Sequence, residues 1–253
     1  MGKNVALALI LTTLAGLSTT LGSLLGLAVR KPGPRFMSAT LGFSAGVMVM
    51  VSFVELLPGG IESIGFAYAH FGFFSGIIVI FLLDFLLPHE WAGHQDLPEN
   101  QKDGKLLRMG VLVALGIGIH NFPEGMATFA GTLQDAKLGI AIAVAIAIHN
   151  IPEGLAVSAP VYAATKSRAK AFFWSFLSGV AEPVGAGIGA VFLMPFLTPT
   201  LLGWLLAFVA GVMVFIAFDE LVPTSRTYDQ GHVAILGLVF GMAIMSLSLW
   251  MLK

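Results

Sequence analysis

The chain has 253 residues, 57% of them hydrophobic and 11% charged, with a formal net charge of −1 and no cysteine. Soluble domains carry about 25% charged residues, so this composition excludes one and places nearly the whole chain in a bilayer. Without cysteine there are no disulfides or thiolate metal sites, so a bound metal must use His, carboxylate, amide oxygen or water.

A helix crosses the hydrocarbon core with about 20 apolar residues. Eight stretches qualify in chain order: Val5–Val29, Phe36–Leu57, Ile64–Leu87, Met109–Ala130, Leu138–Val161, Ala171–Met194, Leu201–Val222 and Val233–Leu252. The opening Met-Gly resembles a myristoylation start, but Ala6 stands where Ser or Thr is needed. Val5–Val29 is too long for a signal-peptide core and has no clear cleavage site, so it reads as the first membrane helix. Glycine is frequent, as in helices packed closely in lipid. The apolar–polar alternation of a membrane barrel is absent. The expected fold class is all-α integral membrane, a single domain of eight transmembrane helices over residues 1–253.

Basic residues orient the spans. With both termini outside, the loops after spans one, three, five and seven are cytoplasmic. They hold Arg30, Lys31 and Arg35; Lys102, Lys105 and Arg108; Lys166, Arg168 and Lys170; and Arg226, which is ten of the 13 Lys and Arg residues. The positive-inside rule supports this arrangement, and a seven-span alternative breaks the sorting.

The second span repeats in the seventh. Ala45-Gly-Val-Met-Val, followed by Phe53, Glu55, Leu56 and Pro58, matches Ala210-Gly-Val-Met-Val, followed by Phe218, Glu220, Leu221 and Pro223, at a constant offset of 165 residues. Spans two and seven therefore run in opposite directions. Spans one to three and six to eight are expected to form an inverted repeat around spans four and five, an arrangement found in transporters. Glu55, Asp219 and Glu220 lie at the two ends of these helices, where carboxylates either concentrate cations at a pathway mouth or, as an equal reading, are solvated at the interface. Asp84 is a weaker example, His70 and His232 have no assigned role, and the eleven Met residues read as packing.

The third loop carries His89-Glu-Trp-Ala-Gly-His94 and Asp96. Its histidines are five apart and follow Pro88, which does not fit the four-residue spacing of a metalloprotease helix. Spans four and five then carry His120-Asn121-Phe122-Pro123-Glu124-Gly125 and His149-Asn150-Ile151-Pro152-Glu153-Gly154. A His and a Glu four residues apart share one helical face and make a seat for a divalent metal. His120, His149 and Glu182 each lie eleven residues into their spans, ~17 Å deep and near the middle of a ~30 Å core. Pro123, Pro152 and Pro183 free the carbonyls of Ile119, Ile148 and Gly179, which lipid tolerates where backbone lines a cavity or binds an ion. Asn121 and Asn150 lie about 100° around from the histidines and can serve an adjacent second seat bridged by Glu124 and Glu153. A lone intramembrane His or Glu reads equally well as a helix–helix hydrogen bond. The duplication of all four residue types at one depth favours metal.

The two His-Asn-x-Pro-Glu-Gly phrases, followed by Ala181-Glu182-Pro183, resemble the ZIP (Zrt/Irt-like) family of divalent-metal transporters. Chain length, short cytoplasmic loops and Pro160-Val-Tyr-Ala-Ala164 are similar to its bacterial zinc-transporter branch. The resemblance implies external termini, a bacterial inner-membrane location, homodimeric assembly and metal import through a binuclear site. It also implies elevator-like movement of a four-helix bundle. By motif it implies a first seat of His120, Glu124, His149 and Glu153, and a second of Asn121, Glu124, Asn150, Glu153 and Glu182. Some relatives replace the second His with Gln and the second Asn with Asp. Keeping both makes this site richer in imidazole, which suits Zn²⁺ but also Fe²⁺, Co²⁺ and Ni²⁺. The branch transports broadly, so Mn²⁺ and Cd²⁺ are further expected ions; the family often places metal-handling histidines in the third loop, and a merely polar loop is an equal reading of His89 and His94. Membrane lipid and metal are the expected partners; no nucleic acid and no resident cofactor are expected.

Two other classes compete. An intramembrane zinc hydrolase needs an open coordination position and a general base, but no catalytic signature is present. An ion channel needs weak multi-site binding along a continuous pore, which a dense midplane seat does not suit. No nucleotide-binding loop is present, so ATP does not drive the chain directly.

Overall fold

The computed structural model describes residues 2–28, 33–86, 99–193, 196, 198–228 and 231–252. Among them the regular structure is helical: α1 Gly2–Ala28, α2 Pro34–Val51, α3 Leu57–Ile64, α4 Phe66–Leu86, α5 Glu99–Gln134, α6 Ala136–Thr165, α7 Arg168–Ile188, α8 Pro199–Ile216, α9 Val222–Tyr228 and α10 Val233–Leu252. Seven described stretches are long and apolar enough to cross a membrane, with α2 running into α3 and α8 into α9 as single rods. Helix α5 contains the remaining expected span, 109–130. The chain is an all-α, multi-pass membrane protein.

Spans two and seven run past their predicted ends, to Ile64 and Tyr228. A π turn in each accounts for this. Residues Ser52–Leu56 and Ala217–Leu221 are wound with wider hydrogen bonds, so that Leu57 N–H donates to the Ser52 carbonyl and Val222 N–H to the Ala217 carbonyl. Each π turn precedes a proline, Pro58 or Pro223, which has no N–H to donate. Accommodating one extra residue there lets the rod continue past it. The second rod stops at Gly65, whose φ of 81° favours glycine. Helix α5 begins at Glu99, so residues 99–108, expected as loop, are helical. His89, His94 and Asp96 lie outside the described residues.

The inverted repeat appears as paired geometry. The two π turns are themselves 165 residues apart. Gly59 meets Leu206 while Gly203 meets Ser63 and Ile64, so the second and seventh rods are antiparallel. A Cβ on Gly46 would strike the Leu238 carbonyl, and one on Gly211 the Phe73 carbonyl. A Cβ on Gly76 would strike the Phe208 carbonyl, and one on Gly241 the Phe43 carbonyl. Within each of these two pairs, one contact becomes the other by the 165-residue shift.

Glycine contacts also divide the bundle. Those just described join α2, α3, α4, α8 and α10, with α9 continuing the α8 rod. A second set joins α1, α5, α6 and α7: Gly16 against Gly179, Gly22 against Ile151, Gly154 against Thr19, Gly125 against Glu182 and Gly185 against Phe122. Among the described residues, every glycine whose Cβ would strike backbone does so inside its own set. Side-chain-free contacts let helix axes approach closely, and in lipid such packing drives association. Short links reinforce the second set. Asp135 alone joins α5 to α6, and Lys166–Ser167 joins α6 to α7. Asp135 caps α6 by accepting from the Lys137 and Leu138 N–H groups, and Ser167 caps α7 by accepting from Lys170 N–H.

Candidate metal centre

Asn121 and Glu124 lie on α5, His149, Asn150 and Glu153 on α6, and Glu182 on α7, all with 0% exposure. Burying so many polar groups in a bilayer requires that each find a partner. His149 Nε2 stands 3.4 Å from Glu124 Oε2 and ties α6 to α5. Asn150 Nδ2 donates to Glu182 Oε1, tying α6 to α7, and to the Ala15 carbonyl of α1 at 3.0 Å. Asn121 Nδ2 donates to the Ser178 carbonyl of α7 at 3.3 Å. Polar side chains of spans four, five and six are therefore paired with one another or with neighbouring backbone, and α1 joins them.

The amide nitrogens are thus anchored, which directs each amide oxygen elsewhere. Asn121 Oδ1, Asn150 Oδ1, Glu124 Oε1 and Glu182 Oε2 have no hydrogen-bond partner among the described residues. All four are acceptors. A buried cluster with surplus oxygen acceptors and an imidazole attracts protons or a divalent cation.

Not every expected donor is described. The His120 backbone lies in α5, but its side chain is outside the described residues. Among the described residues no group of three or more His, Asp or Glu is disposed as a metal cluster. Several donors face one another instead, Glu124 against His149 and Asn150 against Glu182. The freed Gly179 carbonyl faces α1. It packs against Gly16, because a residue without a side chain lets the α1 backbone close over it. Glu55 is half-buried in the first π turn, while Asp219 is exposed and Glu220 half-buried in the second. These acids occupy mirrored π turns, a helical irregularity that recurs at functional sites.

Sequence reading missed two contributions. Ser44 Oγ on α2 donates to the His149 carbonyl at 3.2 Å, a hydrogen bond that crosses from one glycine-packed set to the other. The Ala15 carbonyl of α1 has no sequence signal of its own. The indirect one was a small-residue stripe, Gly16, Thr19, Ser23 and Gly26, which marks the α1 face that packs closely.

An inverted helical repeat around a buried His, Asn and Glu cluster defines a membrane transporter. The chain belongs to the ZIP zinc transporter family: that family's sequence model, described as ZIP Zinc transporter, matches residues 88–249. It is similar to Zinc transporter ZupT of Chlorobium luteolum, with 50% identity over 264 residues and 99% of both chains covered. The ZupT of Chlorobium phaeovibrioides is 53% identical over 259 residues, covering 97% of both. That of Streptococcus mutans is 48% identical over 260 residues, covering 98% of both.

Proposed function

We propose that the chain is a secondary transporter, and not an enzyme, that imports divalent metal into the cytoplasm by alternating access. Its chief substrate is Zn²⁺, with Fe²⁺, Mn²⁺, Co²⁺ and Cd²⁺ also accepted. The observation that carries this reading is the wholly buried group Asn121, Glu124, His149, Asn150, Glu153 and Glu182, with oxygen acceptors left over. His120, Glu124, His149 and Glu153 form the first seat, and Asn121, Glu124, Asn150, Glu153 and Glu182 the second. Glu55, Asp219 and Glu220 attract cations at the two mouths, and His89 and His94 handle metal at the cytoplasmic loop. The family relationship and the zinc in its relatives' names support zinc as substrate.

The moving body is α1, α5, α6 and α7, sliding against the other helices. Glycine-to-backbone contacts lock each set internally and are absent between the sets among the described residues. Ser44 to His149 is one bond that such sliding breaks. The sorting of basic residues supports external termini in a bacterial inner membrane, and the protein works as a homodimer, with residues 1–253 as one domain. Uptake into proteoliposomes with several divalent metals in competition tests the proposal. Saturable uptake at low metal supports a carrier, and non-saturating flux overturns it.

Two predictions separate the seats. Replacing His120 and His149 with Gln weakens Zn²⁺ uptake more than Mn²⁺ uptake, by about tenfold in their ratio. Manganese favours oxygen ligands, whereas zinc gains more from imidazole. Equal loss of both metals shows that imidazole does not set selectivity. Glu182→Gln retains an oxygen for Asn150 Nδ2 and removes a charge from the second seat alone. It keeps measurable uptake with an altered rate or metal preference; a dead Glu182→Gln shows that the two seats act as one.

A further inference from the structure

We propose that a groove between α4, α5 and α7 binds one phospholipid from the leaflet holding the α6–α7 turn, with an acyl chain in the groove and an anionic headgroup at Lys170. The groove has a volume of about 480 Å³ and is walled by Leu83 of α4, by Leu115, Gly118 and Phe122 of α5, and by Trp174 and Leu177 of α7. Its hydroxyl, on Ser178, donates to the Ser175 carbonyl of its own helix. The rest of the lining is overwhelmingly apolar, which disfavours ordered water. Apolar chain is therefore the occupant that matches.

The groove opens toward lipid. Its rim residues Leu83, Leu115 and Leu177 are 40%, 45% and 45% exposed, and Phe173, one turn before Leu177 on α7, is 55% exposed. Length fits as well. Along α7 the interval from Lys170 to Ala181 rises ~17 Å, about half of a ~30 Å hydrocarbon core and so one leaflet deep. Charge completes the match. Lys170, Trp174, Leu177, Ser178 and Ala181 follow the spacing of one helical stripe. Exposed Lys170 thus stands one turn beyond the apolar wall, in the first turn of α7, where the helix dipole also favours an anion. Because α4 belongs to one glycine-packed set and α5 and α7 to the other, relative sliding reshapes this groove. That consequence rests on the transport reading; the lipid site itself does not.

The test uses full-length protein with Trp174 as the sole tryptophan (Trp91→Phe, Trp204→Phe, Trp250→Phe) in phosphatidylcholine nanodiscs. Fluorescence quenching is titrated with acyl-brominated phosphatidylglycerol or acyl-brominated phosphatidylcholine. One basic residue at a headgroup contributes about 1 kcal/mol, so half-quenching is expected at about fivefold less of the anionic lipid. Lys170→Gln, an exposed change, should erase that preference. Gly118→Leu should lower quenching by both lipids, since a Cβ there has no heavy atom nearer than 3.9 Å and the side chain can fill the groove. Equal quenching by both headgroups in the parent, or a preference that survives Lys170→Gln, overturns the proposal. So does the absence of quenching, which means that protein, such as a second copy of the chain, covers the groove. These readouts are independent of metal uptake, so they stand or fall apart from the transport function.

Discussion

Glu124→Ala or Glu153→Ala is expected to reduce metal uptake in proteoliposomes by on the order of 100-fold or more while leaving a folded protein. The loss should be this large because each carboxylate is proposed to bridge both metals. Its removal takes one charge from two coordination spheres, and even groups behind the first ligands cost 10–100-fold. The fold should survive because each of these carboxylates lies at 0% exposure among apolar helices. Removing a buried charge relieves a desolvation cost as well as breaking a contact, here the 3.4 Å pairing of Glu124 with His149. Elution profile and thermal midpoint in detergent, measured with uptake, separate the two effects. Normal uptake by either folded variant would rule out the shared site.

The opposite pattern is expected at Gly154. There a Cβ would collide with the Thr19 carbonyl, which is backbone and cannot rotate away. Gly154→Leu must push α1 off α6, and the Asn150 to Ala15 hydrogen bond depends on that approach. Overpacking costs about 1–3 kcal/mol or more, and a backbone obstacle puts this variant at the upper end, a fall of about 10 °C in thermal midpoint. Uptake should be lost together with stability. Gly187→Leu is the control in the same helix set, because its Cβ meets nothing within 4 Å. If Gly154→Leu matches this control in midpoint and in uptake, the close packing of α1 on α6 does not hold the site.

Much of this was legible in the sequence, for stated reasons. Intramembrane carboxylates are costly enough that the two His-Asn-x-Pro-Glu-Gly phrases stand out against their apolar setting. Matched Glu and Pro exposed the inverted repeat because they recur at one offset within otherwise interchangeable Gly and Val. The ends of spans two and seven were not legible. A π turn differs from an α turn in which carbonyl accepts, and no side chain announces that choice at Ser52 or Ala217. The α1 contribution left only the indirect mark of its small-residue stripe for a similar reason, since the Ala15 carbonyl acts through backbone. Nor could span order alone reveal that α1 packs with α5, α6 and α7 rather than with its sequence neighbour α2. That choice is made by glycines facing carbonyls on particular helices, and partners emerge only in three dimensions.

The mirrored π turns also record history. A π turn behaves as a single inserted residue in an α-helix. Here it occurs at the same register, with the same Phe, Glu, Leu and Pro, in rods that point opposite ways across the membrane. Two independent insertions at matching positions are a less economical origin than one inherited by both copies. On that account the insertion predates the duplication. A unit with an odd number of spans is inverted when a second copy is joined end to end, without further change. The two spans between the copies, being even in number, preserve that inversion. The two helices carrying the His-Asn-x-Pro-Glu-Gly phrases therefore sit between the copies without disturbing their opposite orientation.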